Sequence, residues 1–458
     1  MNLNTSSNAG HGEEARTTAR VVMIAAAAAI GGFLFGFDTA VINGAVDAVR
    51  HGFGLGAAQI GFAVSCSLLG SALGAWYAGP LADRLGRVRT MQVAALFLVM
   101  SAIGSGLVHG VWDLVLWRVV GGIGVGMASV IAPAYIAEIS PANVRGRLGS
   151  MQQLAIVLGI FVALLSDAWL AGTAGSASKM LWLGLEAWRW MFLVATVPAL
   201  IYGVLVLGVP ESPRYLVARG RLPEARKVLA EVLDLHTDAA LDAKVNDIAH
   251  SLGDEHRSTL RDLRGPRAGL LPIVWTGILL SVFQQFVGIN VIFYYSSTLW
   301  HSVGFSEADS FTLTVATSIV NVLVTLVAIA LVDRIGRKPL LLVGSAGMTV
   351  TLGLMAWCFS QATGTGAALS LPAPWGVVAL VAANAYVVCF GLSWGRWCGC
   401  CLAKCSRTTF ARLHWPLRRQ RSGWRILPSP VRSRRWRRLD LASHTACMHS
   451  SRFCHCCS

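Results

Sequence analysis

The 458-residue chain is 55% hydrophobic and only 13% charged, with a mean hydropathy of +0.59 and a net charge of +15. Many apolar runs of about 20 residues, the length that crosses a bilayer, exclude a water-soluble globular domain and predict an all-α, polytopic membrane protein. Thirteen of the fifteen net positive charges fall in residues 396–458, so the basic balance belongs to the tail.

In chain order, Met1–Arg20 is polar, with Glu13, Glu14, Arg16 and Arg20. It lacks the charged, apolar, small-residue layout of a cleavable signal, so the first span is expected to direct insertion itself. Spans are predicted at 21–45, 60–82, 90–110, 114–136, 152–171, 188–208, 270–297, 311–332, 340–360 and 374–395. They are rich in Gly, Ala and Ser, which let membrane helices approach closely. The Gly121–Gly126 run lies inside one of them and is read as a packing surface. The segment from Pro210 to about Arg267 is charged, and helical periodicity around Pro223–Leu233 and Asp238–Leu252 predicts short surface helices. The expected organisation is a tail (1–20), a six-span half (21–208), a linker (209–268), a second half of about four spans (269–395) and an off-pattern tail (396–458).

A polar cassette occurs twice: Asp83-Arg84-Leu85-Gly86-Arg87 returns as Asp333-Arg334-Ile335-Gly336-Arg337. Each copy lies between two apolar runs, so each is expected to be a tight loop between spans. The repeat predicts two similar halves, the construction that alternating-access transporters use. Arg84, Arg87, Arg89, Arg145, Arg147, Arg334, Arg337 and Lys338 cluster in alternate loops, which predicts a cytoplasmic N-terminus and cytoplasmic cassettes.

After Gly395 the composition changes abruptly. Residues 396–458 hold 14 of the 38 Lys and Arg residues, one acid and eight of the 11 cysteines. A zinc site is one reading, but the Cys and His spacings match no standard ligand pattern. An Arg-rich lipid- or nucleic-acid-binding tail is another, and the Trp and Cys load argues against an ordinary solvated tail. The favoured reading is a lost base. Trp394–Leu402 is encodable as TGG GGC CGG TGG TGT GGG TGC TGC TTG, and one added G turns it into Trp-Gly-Pro-Val-Val-Trp-Val-Leu-Leu. Compatible codons then continue into a charged loop and an Ala-rich run, which restores a membrane pattern.

Asp38 lies inside the first span, where an ionised carboxylate is costly, so it is a functional candidate by default. The plainer reading is a helix cap facing water. Arg118, near one end of span four, is its candidate partner, and a changing separation between the two would couple proton uptake to motion. Gln153, Gln284, Gln285, Asn290 and Asn321 also lie in spans. Amides donate and accept, which suits polyol hydroxyls, although they also join membrane helices. A helix break near Gly288 would bring Gln284 and Asn290 together. Phe35 and Tyr294 are candidate walls or core residues. Asp83, Arg84, Arg87, Glu138, Arg145, Arg147, Glu211, Asp333, Arg334 and Arg337 form a candidate charge network. Asp167 is given no role. No catalytic, phosphate-binding or metal-spaced constellation is visible, so no enzyme activity and no cofactor are expected.

These motifs resemble the sugar porter family of the major facilitator superfamily, in its bacterial sugar–proton symporter form. The resemblance covers about Val21–Gly395. It rests on Gly31-Gly32-Phe33-Leu34-Phe35-Gly36-Phe37-Asp38, both cassettes, Arg118-Val119-Val120-Gly121-Gly122-Ile123-Gly124, Glu138-Ile139-Ser140-Pro141, Arg145-Gly146-Arg147, Pro210-Glu211-Ser212-Pro213-Arg214 and Gln284-Gln285-Phe286-Val287-Gly288-Ile289-Asn290. It implies two six-helix halves, the second incomplete here, and Asp38 as the proton-coupling acid. It also implies that the five amides contact sugar and that the cassettes latch onto Glu138 and Arg147. It places an aromatic sugar contact at the position of Gly399, which cannot supply one. The expected function is monosaccharide–proton symport in the inner or plasma membrane by a monomer, driven by the proton gradient. Candidate sugars are glucose, xylose, galactose and arabinose, and no nucleic-acid partner is expected. The alternatives are a proton-independent facilitator and a non-transporting sugar sensor or inactive remnant.

Overall fold

The computed structural model describes residues 5–141, 145–233, 237–254, 264–265, 269–270, 272–302, 304–363, 371–372 and 374–395. Among them, ten helices are long and apolar enough to cross a membrane, and all ten predicted spans fall on them. The first span, Arg20–Gly52, is divided at Val41 into α1 (Thr5–Ala40) and α2 (Ile42–Gly52). Four unbroken helices follow: α3 (Ala57–Leu85), α4 (Arg87–Gly106), α5 (Val111–Ile139) and α6 (Arg145–Ala174). The sixth span is split at Ala195 into α7 (Ala187–Val194) and α8 (Thr196–Leu207). Pro198 explains that split, because it has no N–H for the Val194 carbonyl and its ring crowds that group.

The linker forms α9 (Pro213–Ala218), α10 (Leu222–Leu233) and α11 (Asp238–Asp254), with a small core of Tyr215, Leu216, Ala225, Leu229 and Val245. A two-residue antiparallel pair follows, β1 (Arg264–Gly265) and β2 (Gly269–Leu270). The seventh span is α12 (Pro272–Phe286) and α13 (Ile289–Ser302), interrupted at Gly288, whose φ of +89° no helix accommodates. Then come α14 (Glu307–Ile335), α15 (Arg337–Ser360) and α16 (Trp375–Ser393).

The cassettes are not loops. Asp83-Arg84-Leu85 completes α3, Gly86 alone makes the turn at φ +97°, and Arg87 opens α4. The second copy repeats this, with Gly336 at φ +79° between α14 and α15. One glycine at positive φ stops a helix within a residue, so charged neighbours stay helical at the membrane edge. The same effect lengthens the predicted spans, as where 60–82 becomes Ala57–Leu85.

Two compact units divide the described residues. One contains the described parts of Met1–Arg257, Ile289–Leu326 and Thr351–Val388, the other those of Ser258–Gly288, Val327–Val350 and Cys389–Ser458. Within the first, α3 packs most extensively on α5 and α1 on α6. Glycines face backbone from both sides of each pair. A Cβ at Gly70 or Gly74 would strike the Val119 or Ile123 carbonyl of α5, and one at Gly122 or Gly126 would strike Ser67 or Ser71 of α3. Gly36 and Gly159 do the same for α1 and α6. The Gly121–Gly126 run is therefore a packing surface.

Candidate functional site

Three helices of the first unit meet at Arg118. From α5, its Nη1 donates to the Asp38 Oδ1 of α1 at 3.1 Å and to the Asp38 carbonyl at 3.2 Å. Its Nη2 donates to the Ser67 Oγ of α3 at 3.3 Å. Arg118 is 1% exposed, and its Nε–H meets no acceptor among the described residues. Gly121, one turn along, leaves the room that Ser101 and Asp38 occupy. Tyr294 of α13 is buried within electrostatic reach of both charges, with its hydroxyl beside Thr39. A buried cation with one carboxylate and one hydroxyl is held by few groups, so its strength depends on their separation.

The amides are distributed more widely. Gln153 is half-buried on α6 beside the buried Gln152, Asn321 is buried on α14, and Asn290 is half-buried in the first turn of α13. These three belong to the first unit, whereas Gln284 and Gln285 belong to the second. Gln284 Nε2 donates to the Trp394 carbonyl at 3.3 Å, and Trp394 Nε1 donates to Ser345 Oγ at 3.0 Å. Phe35 packs against the apolar core of the first unit.

Sequence reasoning passed over Asn43. It is buried on α2, where Nδ2 donates to the Phe293 carbonyl at 2.9 Å and to Ser296 Oγ at 2.8 Å. Ser297 Oγ donates in turn to the Asn43 carbonyl at 2.8 Å. Four residues thus tie α2 to α13 away from water. Its only sequence signal was one amide in an apolar run, five positions after Asp38. Farther along that end, Glu307 of α14 accepts from Ala177 N at 2.9 Å and Ser176 Oγ at 3.0 Å.

At the opposite end, Arg87 lies against Glu138 of α5 in a two-pronged pair, Nη2 to Oε1 at 3.1 Å and Nε to Oε2 at 3.2 Å. Its Nη1 also donates to Asp83 at 3.2 Å and to the Ala82 carbonyl at 3.1 Å. Ser212 Oγ donates to Glu138. Glu211 accepts from the backbone of Arg87 at 2.9 Å and of Val88, so an anion caps the start of α4. Gly86 is doubly constrained, because a Cβ there would run into the Glu211 carboxylate. Tyr215 OH and Arg219 Nη2 donate to the Arg84 carbonyl at 3.1 and 2.8 Å, so Arg84 contributes its backbone while its side chain is exposed. The side chains of Arg145, Arg147, Asp333, Arg334 and Arg337 lie outside the described residues. Among the described residues, no group of three or more His, Cys, Asp or Glu side chains is placed to hold a metal.

Residues 24–413 match the family model of sugar (and other) transporters. A glucose transport protein of Synechocystis sp. is 55% identical over 376 residues, covering 82% of this chain and 80% of that protein. The D-xylose-proton symporter of Escherichia coli is 36% identical over 406 residues, covering 82% and 78%. A structure of the Escherichia coli xylose transporter in a partially occluded, inward-open conformation superposes with a TM-score of 0.71 at 32% identity, covering 85% of this chain and 89% of that one. These relatives are transporters, not enzymes, and share the multi-pass helical architecture. The chain belongs to the sugar transporter family of the major facilitator superfamily.

Proposed function

We propose that this protein is a proton-coupled monosaccharide symporter of the cell membrane, working by alternating access with its N-terminus and cassettes in the cytoplasm. The observation that carries the proton is the Asp38–Arg118 pair, one acid and one cation held at 3.1 Å between three membrane helices. Protonating Asp38 discharges the acid and releases Arg118, and a conformational step that separates the helices favours that exchange. One charge moved through the membrane potential supplies ~2.3 kcal/mol per 100 mV, roughly a fifty-fold concentration ratio.

Gln153, Gln284, Gln285, Asn290 and Asn321 bind the sugar hydroxyls, with Phe35 and Tyr294 as walls, and Arg87, Glu138 and Glu211 latch the cytoplasmic helix ends. The relative at 55% identity is named for glucose, which favours a hexose over the pentose of the symporter relative. Residues after Gly395 are read out of frame, a reading supported by the sudden Arg and Cys load and by the apolar run that one added base restores.

Uptake into vesicles carrying an inwardly directed proton gradient tests this reading. The frame-restored chain accumulates radiolabelled glucose, xylose competes weakly, and an uncoupler abolishes accumulation. The chain with residues 396–458 as they stand takes up none. Uptake by that chain, or a run of G whose resequencing leaves no base missing, sinks the frame reading. Accumulation that survives an uncoupler sinks symport in favour of a facilitator.

A further inference from the structure

Asp167 lies two turns before the end of α6 and takes no part in any charged pair described above. It is fully buried, and neither carboxylate oxygen has a hydrogen-bond partner among the described residues. The Gly44 backbone amide of α2 faces it without meeting hydrogen-bond geometry. The packing is tight. A Cβ on Gly44 would come within 2.9 Å of the Asp167 Cβ and 2.7 Å of the Met191 Sδ of α7. The neighbouring residue on the same turn of α2 is Asn43, which ties that turn to α13. Among the described side chains, the acidic, basic and imidazole groups on the helices packed against α6 are Arg20, Asp38, Asp47, Arg50, His51, Asp113, Arg118, Glu138 and Arg189. None of these hydrogen-bonds to Asp167, which packs against Gly44 of α2.

A carboxylate shut away from water with no hydrogen-bonded cation, and with only a poorly aligned backbone N–H nearby, is strongly disfavoured, whereas a neutral carboxyl is tolerated. Asp167 is covered by the turn of α2 that carries Gly44, so it meets water when that turn moves. We propose that Asp167 is a second proton-binding site, occupied while α2 is closed on α6 and emptied to water when α2 lifts away. The carboxyl O–H bond breaks at that point, the proton passes to water, and the electron pair stays on the carboxylate until α2 closes over a reprotonated acid. Because α2 continues from α1 three residues after Asp38, its movement reaches both acids. The role in transport rests on the symport reading, and the protonation itself does not.

Infrared spectroscopy of the full chain in lipid vesicles decides the matter without requiring transport. At neutral pH the account expects a protonated-carboxyl stretch that shifts on carbon-13 aspartate labelling. Asp167→Asn removes it, Asp38→Asn retains it, and Asp167→Glu moves it out of the labelled set. A missing band at neutral pH, or one that survives Asp167→Asn or Asp167→Glu, overturns the proposal. Should Asp167→Asn fail to fold, the labelled unmodified chain, Asp38→Asn and Asp167→Glu still give the answer. In the frame-restored chain, uncoupler-resistant accumulation with the band present defeats symport alone, and uncoupler-sensitive accumulation without the band defeats this site alone.

Discussion

Two carboxylate–guanidinium pairs in this chain are built to opposite specifications. Arg87 has Glu138 on two prongs, Asp83, a helix carbonyl and the Tyr215 ring 5.7 Å away, and Glu138 takes Ser212 as well. Arg118 has one carboxylate, that residue's carbonyl and one hydroxyl, in a far more buried place. A saturated network has one low-energy arrangement and holds helix ends in register. An under-satisfied buried pair keeps little to lose when a proton replaces the cation, so it suits a step that must reverse in every cycle.

The largest expected effect falls on the sparse pair. In the frame-restored chain, Asp38→Asn reduces steady-state accumulation from roughly fifty-fold per 100 mV to equilibration, while sugar exchange continues. Radiolabelled accumulation against exchange checks it, and parallel loss of both would place Asp38 in folding or sugar binding instead. The saturated network should respond in stability. Arg87→Ala strands a half-buried Glu138 and costs about 3 kcal/mol, read from thermal unfolding in detergent. Gly86→Ala costs about 2 kcal/mol through its positive φ, with the clash against Glu211 added. Asn43→Ala takes the side-chain amide away from Ser296 Oγ, the Phe293 carbonyl and the Ser297 backbone N–H and costs about 1–2 kcal/mol, with faster labelling of cysteines placed near that end of α13. Arg221→Ala sets the floor. That side chain is exposed, Glu224 pushes its pKa up, and a guanidinium already charged at every working pH gains nothing, so the unfolding midpoint stays put.

The same contrast shows what a sequence carries. Span count and the packing role of Gly121–Gly126 were legible because bilayer thickness and small-residue contact act locally. The linker helices α10 and α11 were legible from periodicity. The cassettes misled, because dense charge reads as loop while Gly86 and Gly336 need only one residue to end a helix. Asn43 escaped notice, and Ser212 was quoted within a motif without a role of its own, for another reason. Their partners lie 253 and 74 positions away, and neither residue type is unusual where it stands. Asp167 was visible as an acid in a span, but nothing short of packing reveals that neither of its oxygens has a hydrogen-bond partner among the described residues.

The most direct test of the central claim is proton movement itself. Adding glucose to vesicles of the frame-restored chain, with no imposed gradient, should draw protons in with the sugar and alkalinise the outside, and Asp38→Asn should abolish that signal while glucose still equilibrates. Glucose entry with no pH change, or a pH change that persists in Asp38→Asn, would contradict the assignment of proton coupling to the Asp38–Arg118 pair.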